Sequence, residues 1–248
     1  MNLILSIKLL KQLIIAFLSI WILVILIFQA QTESKKIVLW SWERYEDLSY
    51  IDTLTTAVAP LIATFIINDK EELYTKLRLN VYKIPLLTNV IPVFRIEMQS
   101  TNLNNKTVHQ LVTEIISLSK TGQLIQLDFD VTLSQRNIYK EIINQLVNYN
   151  REVSITALAS LCTYDSWLDS LPIKFAVPML YNIKDNDRGL KESKALFARL
   201  GHWRTKKCQG YIGILRSDII EVNSSHTLFI FNNSAWTKDH YNEINKHE

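Results

Sequence analysis

Eight short apolar runs alternate along this chain with amphipathic stretches, and several of the runs end in polar or acidic residues. Together with a long apolar segment near the N-terminus, these observations predict an α/β fold: a (β/α)8 TIM-like barrel preceded by an N-terminal transmembrane helix or signal peptide. The length left after the apolar segment falls near the low end of the ~200–400 residues usual for such barrels. An open doubly wound sheet is the alternative. Against it, no Gly-rich turn follows the first run, and five glycines in 248 residues leave nucleotide phosphates without an evident cradle.

Taken in order, Lys8 and Lys11 precede an almost unbroken apolar run at residues 13–28, and Lys35 and Lys36 follow it. Extended by the apolar residues before it, the run can span a hydrocarbon core that needs about 17–25 helical residues. Charge ahead of the run places the N-terminus in the cytoplasm and the rest outside, although Lys35 and Lys36 weaken the asymmetry. A signal anchor is preferred over a cleaved signal peptide, because bulky Phe28 stands two residues before Ala30 where cleavage favours small side chains. This gives residues 1–34 as anchor and short tether and 35–248 as the barrel, membrane-anchored on the periplasmic or extracellular side, and secreted if the segment is cleaved.

Strands are expected at 37–42, 57–67, 90–97, 124–130, 153–160, 175–181, 211–215 and 227–231. Helical spacing marks 108–118, with Val108, Leu111, Val112, Ile115 and Ile116 on one face, and 138–147, with Ile138, Ile142, Ile143 and Leu146. Ser134 is the expected N-cap of the latter. Residues 190–200 and 238–245 complete the later units, and 69–88 reads as an irregular or hairpin excursion. No Pro-, Ser- or Gly-rich linker divides the barrel.

The balance of charge, 27 Lys and Arg against 24 Asp and Glu, is scattered along the chain and argues against nucleic-acid binding. Cys162 and Cys208 could pair in an oxidising compartment; the sequence leaves that open. The five histidines are dispersed, with no Cys-x-x-Cys pattern, so no metal site and no cofactor is expected.

Function in such barrels sits at the C-terminal ends of the strands. In the fourth, alternation puts Leu127 and Phe129 under a covering layer while Gln126, Asp128 and Asp130 converge on the opposite face. Two carboxylates about 6–7 Å apart between Cα atoms titrate as a pair, one protonated and one ionised, as general acid catalysis at a glycosidic bond needs. The same parity turns Arg95 and Glu97 inward. Glu43 and Asn182 also stand at strand ends, and Trp40, Trp42, Tyr181 and Trp236 are candidates for stacking on sugar rings, though each equally fits a packing position. A cation between Asp128 and Asp130 is disfavoured because no third oxygen ligand is identifiable.

These residues resemble a known pattern. Gln126 to Asp130 is similar to the fourth-strand Asp-x-x-Asp-x-Asp-x-Glu signature of chitinase-type glycoside hydrolases, and Met179-Leu180-Tyr181 to their sixth-strand Met-x-Tyr. The resemblance implies Asp130 as general acid, Asp128 as the group orienting the substrate's acetamido, and no second enzymic nucleophile. The chain has Asp130 where that pattern has Glu, and Gln126 where it has an earlier Asp. One methylene moves the acidic proton by about 1 Å, a displacement that can cost ~100-fold. From Trp42-Glu43-Arg44 onward the chain also resembles an uncharacterised bacterial family defined only as a domain of unknown function. That likeness rests on Gln126 to Asp130, Ser154 to Ser160, Asp165-x-Trp167 and Val177-Pro178-Met179, and implies a glycoside-hydrolase-like barrel without an assigned activity.

The expected function is therefore a membrane-anchored, extracytoplasmic, glycoside-hydrolase-like protein. Asp130, Asp128 and Tyr181 are its catalytic candidates, and Trp40, Trp42, Glu43, Arg95, Glu97, Gln126, Met179, Asn182 and Trp236 its substrate-binding candidates. The alternatives are a non-catalytic glycan-binding or envelope barrel, and a structural barrel whose Asp128, Asp130, Arg95 and Glu97 form an ion network.

Overall fold

A computed structural model describes residues 17, 37–181, 188–218 and 226–245. Eight parallel strands close on themselves: β1 (Ile37–Ser41), β3 (Thr56–Ile67), β6 (Val93–Met98), β7 (Leu124–Asp128), β8 (Glu152–Leu158), β9 (Phe175–Met179), β10 (Tyr211–Leu215) and β11 (Thr227–Phe231), with β11 pairing back onto β1. The fold is thus α/β with a closed, all-parallel, eight-stranded barrel, and it lies within the compact unit Lys35–Glu248. The expected anchor and tether fall outside the described residues apart from Phe17. Among the described residues no helix is long and apolar enough to cross a membrane.

Among the described residues, helices follow five of the strands: α1 (Asn105–Ser117) after β6, α2 (Arg136–Asn148) after β7, α3 (Ala159–Tyr164) after β8, α4 (Arg188–Leu200) after β9 and α5 (Lys238–Asn245) after β11. The excursion at 69–88 contains β4 (Leu73–Leu77), antiparallel to the end of β3, and β5 (Tyr82–Lys83), which pairs with β2 (Glu46–Asp47). Asn104 caps α1 by accepting from the Thr107 amide at 2.9 Å.

Several boundaries correct the sequence reading. The fifth expected strand ends at Leu158, because Ala159 to Tyr164 turn into α3. The fourth ends at Asp128, so Phe129 and Asp130 lie just beyond it. Ser134 is not the cap of α2. Thr132 starts a short 3-10 turn, Leu133–Gln135, that feeds the helix, and its backbone N–H and hydroxyl donate to Gln135 Oε1 at 3.1 and 2.9 Å. A Thr with Gln three residues later is the stronger start signal, since each side chain can reach the other's backbone. Gln135, itself buried, donates onward to the Met98 and Ser100 carbonyls.

Strand alternation sorts the apolar residues into two cores. One lies between strands and helices, where Leu127, Phe94 and Ile96 meet Leu111, Ile115 and Ile142. The other fills the barrel lumen with Val38, Trp40, Ala59, Leu61, Val93, Val177 and Phe229. At the N-terminal end of β9 and β10, Phe175 and Tyr211 stack at 3.9 Å. Higher in the lumen, Gly213 makes room for an indole. A Cβ there would stand 3.1 Å from Trp40 Cη2 and 3.3 Å from Val177 Cγ1.

On β3 the alternation is broken once. The register with β6 slips between Leu61 and Ala63, so Leu61 faces the lumen while Ala63, Phe65 and Ile67 join the outer core. One inserted residue exchanges the faces of everything after it.

Candidate functional site

The C-terminal ends of the strands surround a cavity of about 210 Å³. Its polar lining is Arg95, Asp128, Asp130, Thr156, Ser160 and Tyr181, and its apolar lining includes Trp40, Trp42, Met179 and Phe231. The parity read from sequence explains the convergence. Val93 and Arg95 on β6 point inward beside Gln126 and Asp128 on β7, through the pairings Val93 to Gln126 and Arg95 to Asp128. Leu127 and Phe129 point outward into the core, the Phe129 ring edge-on to Tyr139 at 5.0 Å.

Asp128 is the anchored carboxylate. Its side chain is 15% exposed. The Thr156 hydroxyl donates to Oδ1 at 2.7 Å, and Arg95 Nη1 stands 3.7 Å from Oδ2. Burial raises its carboxyl above the ordinary aspartate value, with Asp130 and Glu97 adding in the same direction, while Thr156 and Arg95 pull the other way without overcoming burial. Asp130, by contrast, is exposed and reaches the cavity from the first turn beyond the strand. The result is one held and one free carboxylate on a single wall.

Arg95 is shared. Its Nε donates to Glu97 Oε1 at 2.8 Å, and its guanidinium lies 5.5 Å from the Trp42 ring centroid. Tyr181 sits against Phe231, the rings parallel at 5.8 Å, and edge-on to Trp40 at 6.3 Å. Burial first, then the fields of Asp128 and Asp130, hold the Tyr181 hydroxyl well above its ordinary value. It remains a proton-bearing donor at any physiological pH.

Other candidates have different places. Trp40 is 4% exposed and forms part of the cavity floor; its Nε1 donates to Gln126 Oε1 at 2.7 Å. Gln126 is buried and acts through Trp40, with its Nε2 lacking a hydrogen-bond partner among the described residues. Trp236 is not among the residues lining the cavity. It is buried, its Nε1 donates to the Trp40 carbonyl at 2.9 Å, and its amide donates to buried Glu46 at 2.7 Å, which makes it a buttress of β1 and not a stacking surface. Glu43 and Glu97 line an adjoining groove. Met179 lines the cavity, and Asn182 lies outside the described residues.

Thr156, Phe231 and Ser160 line the cavity but are not among the site residues expected from the sequence. For Thr156 the signal was present: Ser154 and Thr156 are polar on alternate positions of an apolar run, the parity that faces a lumen. Among the described residues no group of three or more His, Cys, Asp or Glu could hold a metal ion. Compared with models of protein families, with curated proteins and with solved structures, the chain matches none.

Proposed function

We propose that the protein is a glycoside-hydrolase-like barrel that acts on a glycan at its mouth, tethered outside the cytoplasmic membrane by residues 13–28. The observation that carries this reading is the meeting of two unlike carboxylates and a protonated tyrosine on one cavity with an aromatic wall. Asp130, exposed in the cavity, donates its proton to the glycosidic oxygen as the C–O bond breaks. Asp128, whose carboxyl is pushed up by burial, is its partner on the same wall of the cavity. If the substrate bears an acetamido group, its oxygen bonds to the anomeric carbon as the leaving oxygen departs, water later displaces it while passing a proton back to Asp130, and no second enzymic carboxylate is needed. Tyr181 donates to the reacting sugar. The tether is supported by the Lys8 and Lys11 charges ahead of the apolar run and by the Cys162–Cys208 disulfide, a bond that persists in oxidising compartments.

Asp130→Asn is expected to lower hydrolysis by roughly 100-fold or more, the usual worth of a general acid, while leaving binding in place. Retained turnover would remove Asp130 from the mechanism. A second reading, a glycan-binding or envelope barrel without hydrolysis, is favoured by the engagement of Asp128 with Thr156 and Arg95 and by the short Asp130 side chain. It predicts binding without product on amino-sugar oligomers and peptidoglycan fragments.

A further inference from the structure

Beside the cavity lies a second depression of about 310 Å³, lined by Trp42, Glu43, Thr64, Ile66, Lys76 and Glu97, with Arg95 and Leu61 completing it. Trp42 and Arg95 line both, so the two spaces share a wall. We infer that this groove is a binding site for a further unit of the same glycan, so that the protein takes an oligomer laid across Trp42 and Arg95; the inference rests on the glycan reading of the mouth.

The groove is built by an exception in the barrel. β1 ends at Ser41 opposite Pro60, yet β3 runs on to Ile67 with β4 hydrogen-bonded along its free edge. Residues 61–67 therefore rise as a hairpin wall past the end of β1. The slip between Leu61 and Ala63 then decides what the wall shows. Without it, Phe65 and Ile67 would face the groove; with it, they enter the outer core and Thr64 and Ile66 line the groove.

The charges define the ligand. Lys76 Nζ pairs with Glu43 at 2.8 Å and Arg95 Nε with Glu97 at 2.8 Å. All four side chains remain between 37% and 58% exposed. Each pair offers N–H donors and carboxylate acceptors with no net charge. Sugar hydroxyls both donate and accept, so a neutral, hydroxyl-rich unit is served on both counts, whereas an anionic one meets cations already paired.

The test is calorimetry on the full chain carrying Asp130→Asn, which holds oligomers uncleaved, with N-acetylglucosamine oligomers of two and of six units as probes. The six-unit oligomer is expected to bind about ten-fold or more tightly than the two-unit one, the worth of one added hydrogen bond to a charged group. Ile66→Trp, which fills the groove, and Lys76→Ala, an exposed truncation, should each erase that gain and leave the two-unit affinity unchanged. Binding of the two-unit oligomer with no gain from length, or a gain that survives both substitutions, overturns the groove and leaves the mouth reading standing. Absence of binding by either oligomer overturns both.

Discussion

Asp128 concentrates the electrostatics of the mouth in one carboxyl. Burial raises it, Thr156 and Arg95 lower it, and burial prevails. Each neighbour therefore has a sign that can be measured. Thr156→Val removes the hydroxyl donor and Arg95→Met the cation, so each should move the Asp128 titration further up; Asp130→Asn removes a like charge and should move it down. Carbon-detected NMR of the carboxyl reads these shifts, and a downward move in Arg95→Met would contradict the assigned contacts. The sign for stability follows from linkage. An acid whose folded value lies above its unfolded one of about 3.9 favours the native state fully below that value. That contribution is lost as pH rises through the folded value. The melting temperature of Asp128→Asn relative to the native protein should accordingly increase as pH climbs through this window. Asp130, one residue past Phe129, carries the opposite character: it is exposed, so its position follows from the Phe129 ring locked against Tyr139 rather than from contacts of its own.

At the scale of the element, β3 does the unusual work. Its bulge at Ile62 sends Phe65 and Ile67 to the helix side and turns Thr64 and Ile66 toward the mouth. Deleting Ile62 removes the extra residue and keeps Leu61 opposite Val93 and Ala63 opposite Phe94, so Phe65 and Ile67 stay on the helix side. The variant is expected to lose well under the ~3–6 kcal/mol that exposing two large apolar side chains would forfeit, and urea denaturation reads the difference. A loss of that full size would mean that the faces beyond Leu61 are held by the bulge itself and not by alternation. This is also where the sequence stopped being legible. Residues 211–215 and 227–231 could be bounded correctly because apolar runs with polar flanks are what buried parallel strands look like. A bulge leaves no mark in a run such as Ala57 to Ile67, in which nearly every position is apolar and either face would suit the core. The same blindness hid Trp236, since a tryptophan at a strand end reads alike as a stacking surface or a buttress until its Nε1 is seen bonded to the Trp40 carbonyl. Thr156 was different: its alternation with Ser154 was readable and only its partner Asp128 was not.

For the whole molecule, the barrel supplies a sealed lumen with one decorated end. Tyr211 stacked on Phe175 and Trp40 fitted over Gly213 fill the interior, so the open space is displaced to the C-terminal mouth where Asp128, Asp130 and Tyr181 stand. Outside the barrel wall, the Cys162–Cys208 bond closes a loop between residues 46 apart, worth about 4 kcal/mol on a chain-entropy account. The proposed location makes a joint prediction at this scale. After alkaline carbonate washing the protein should stay with the membrane fraction, and both cysteines, buried in the fold, should resist maleimide labelling in the urea-denatured protein until a reductant is added. Recovery in the wash with reactive thiols would contradict the tether and the oxidising compartment together.

Whether the mouth of the barrel works on a glycan through Asp130 is decided by following oligosaccharide products from the native protein and from Asp130→Asn alongside their binding of the same oligomers. The native protein is expected to give product, Asp130→Asn roughly 100-fold less or none, and the two to bind comparably. Equal turnover by the two proteins, or no binding by either, would contradict that reading.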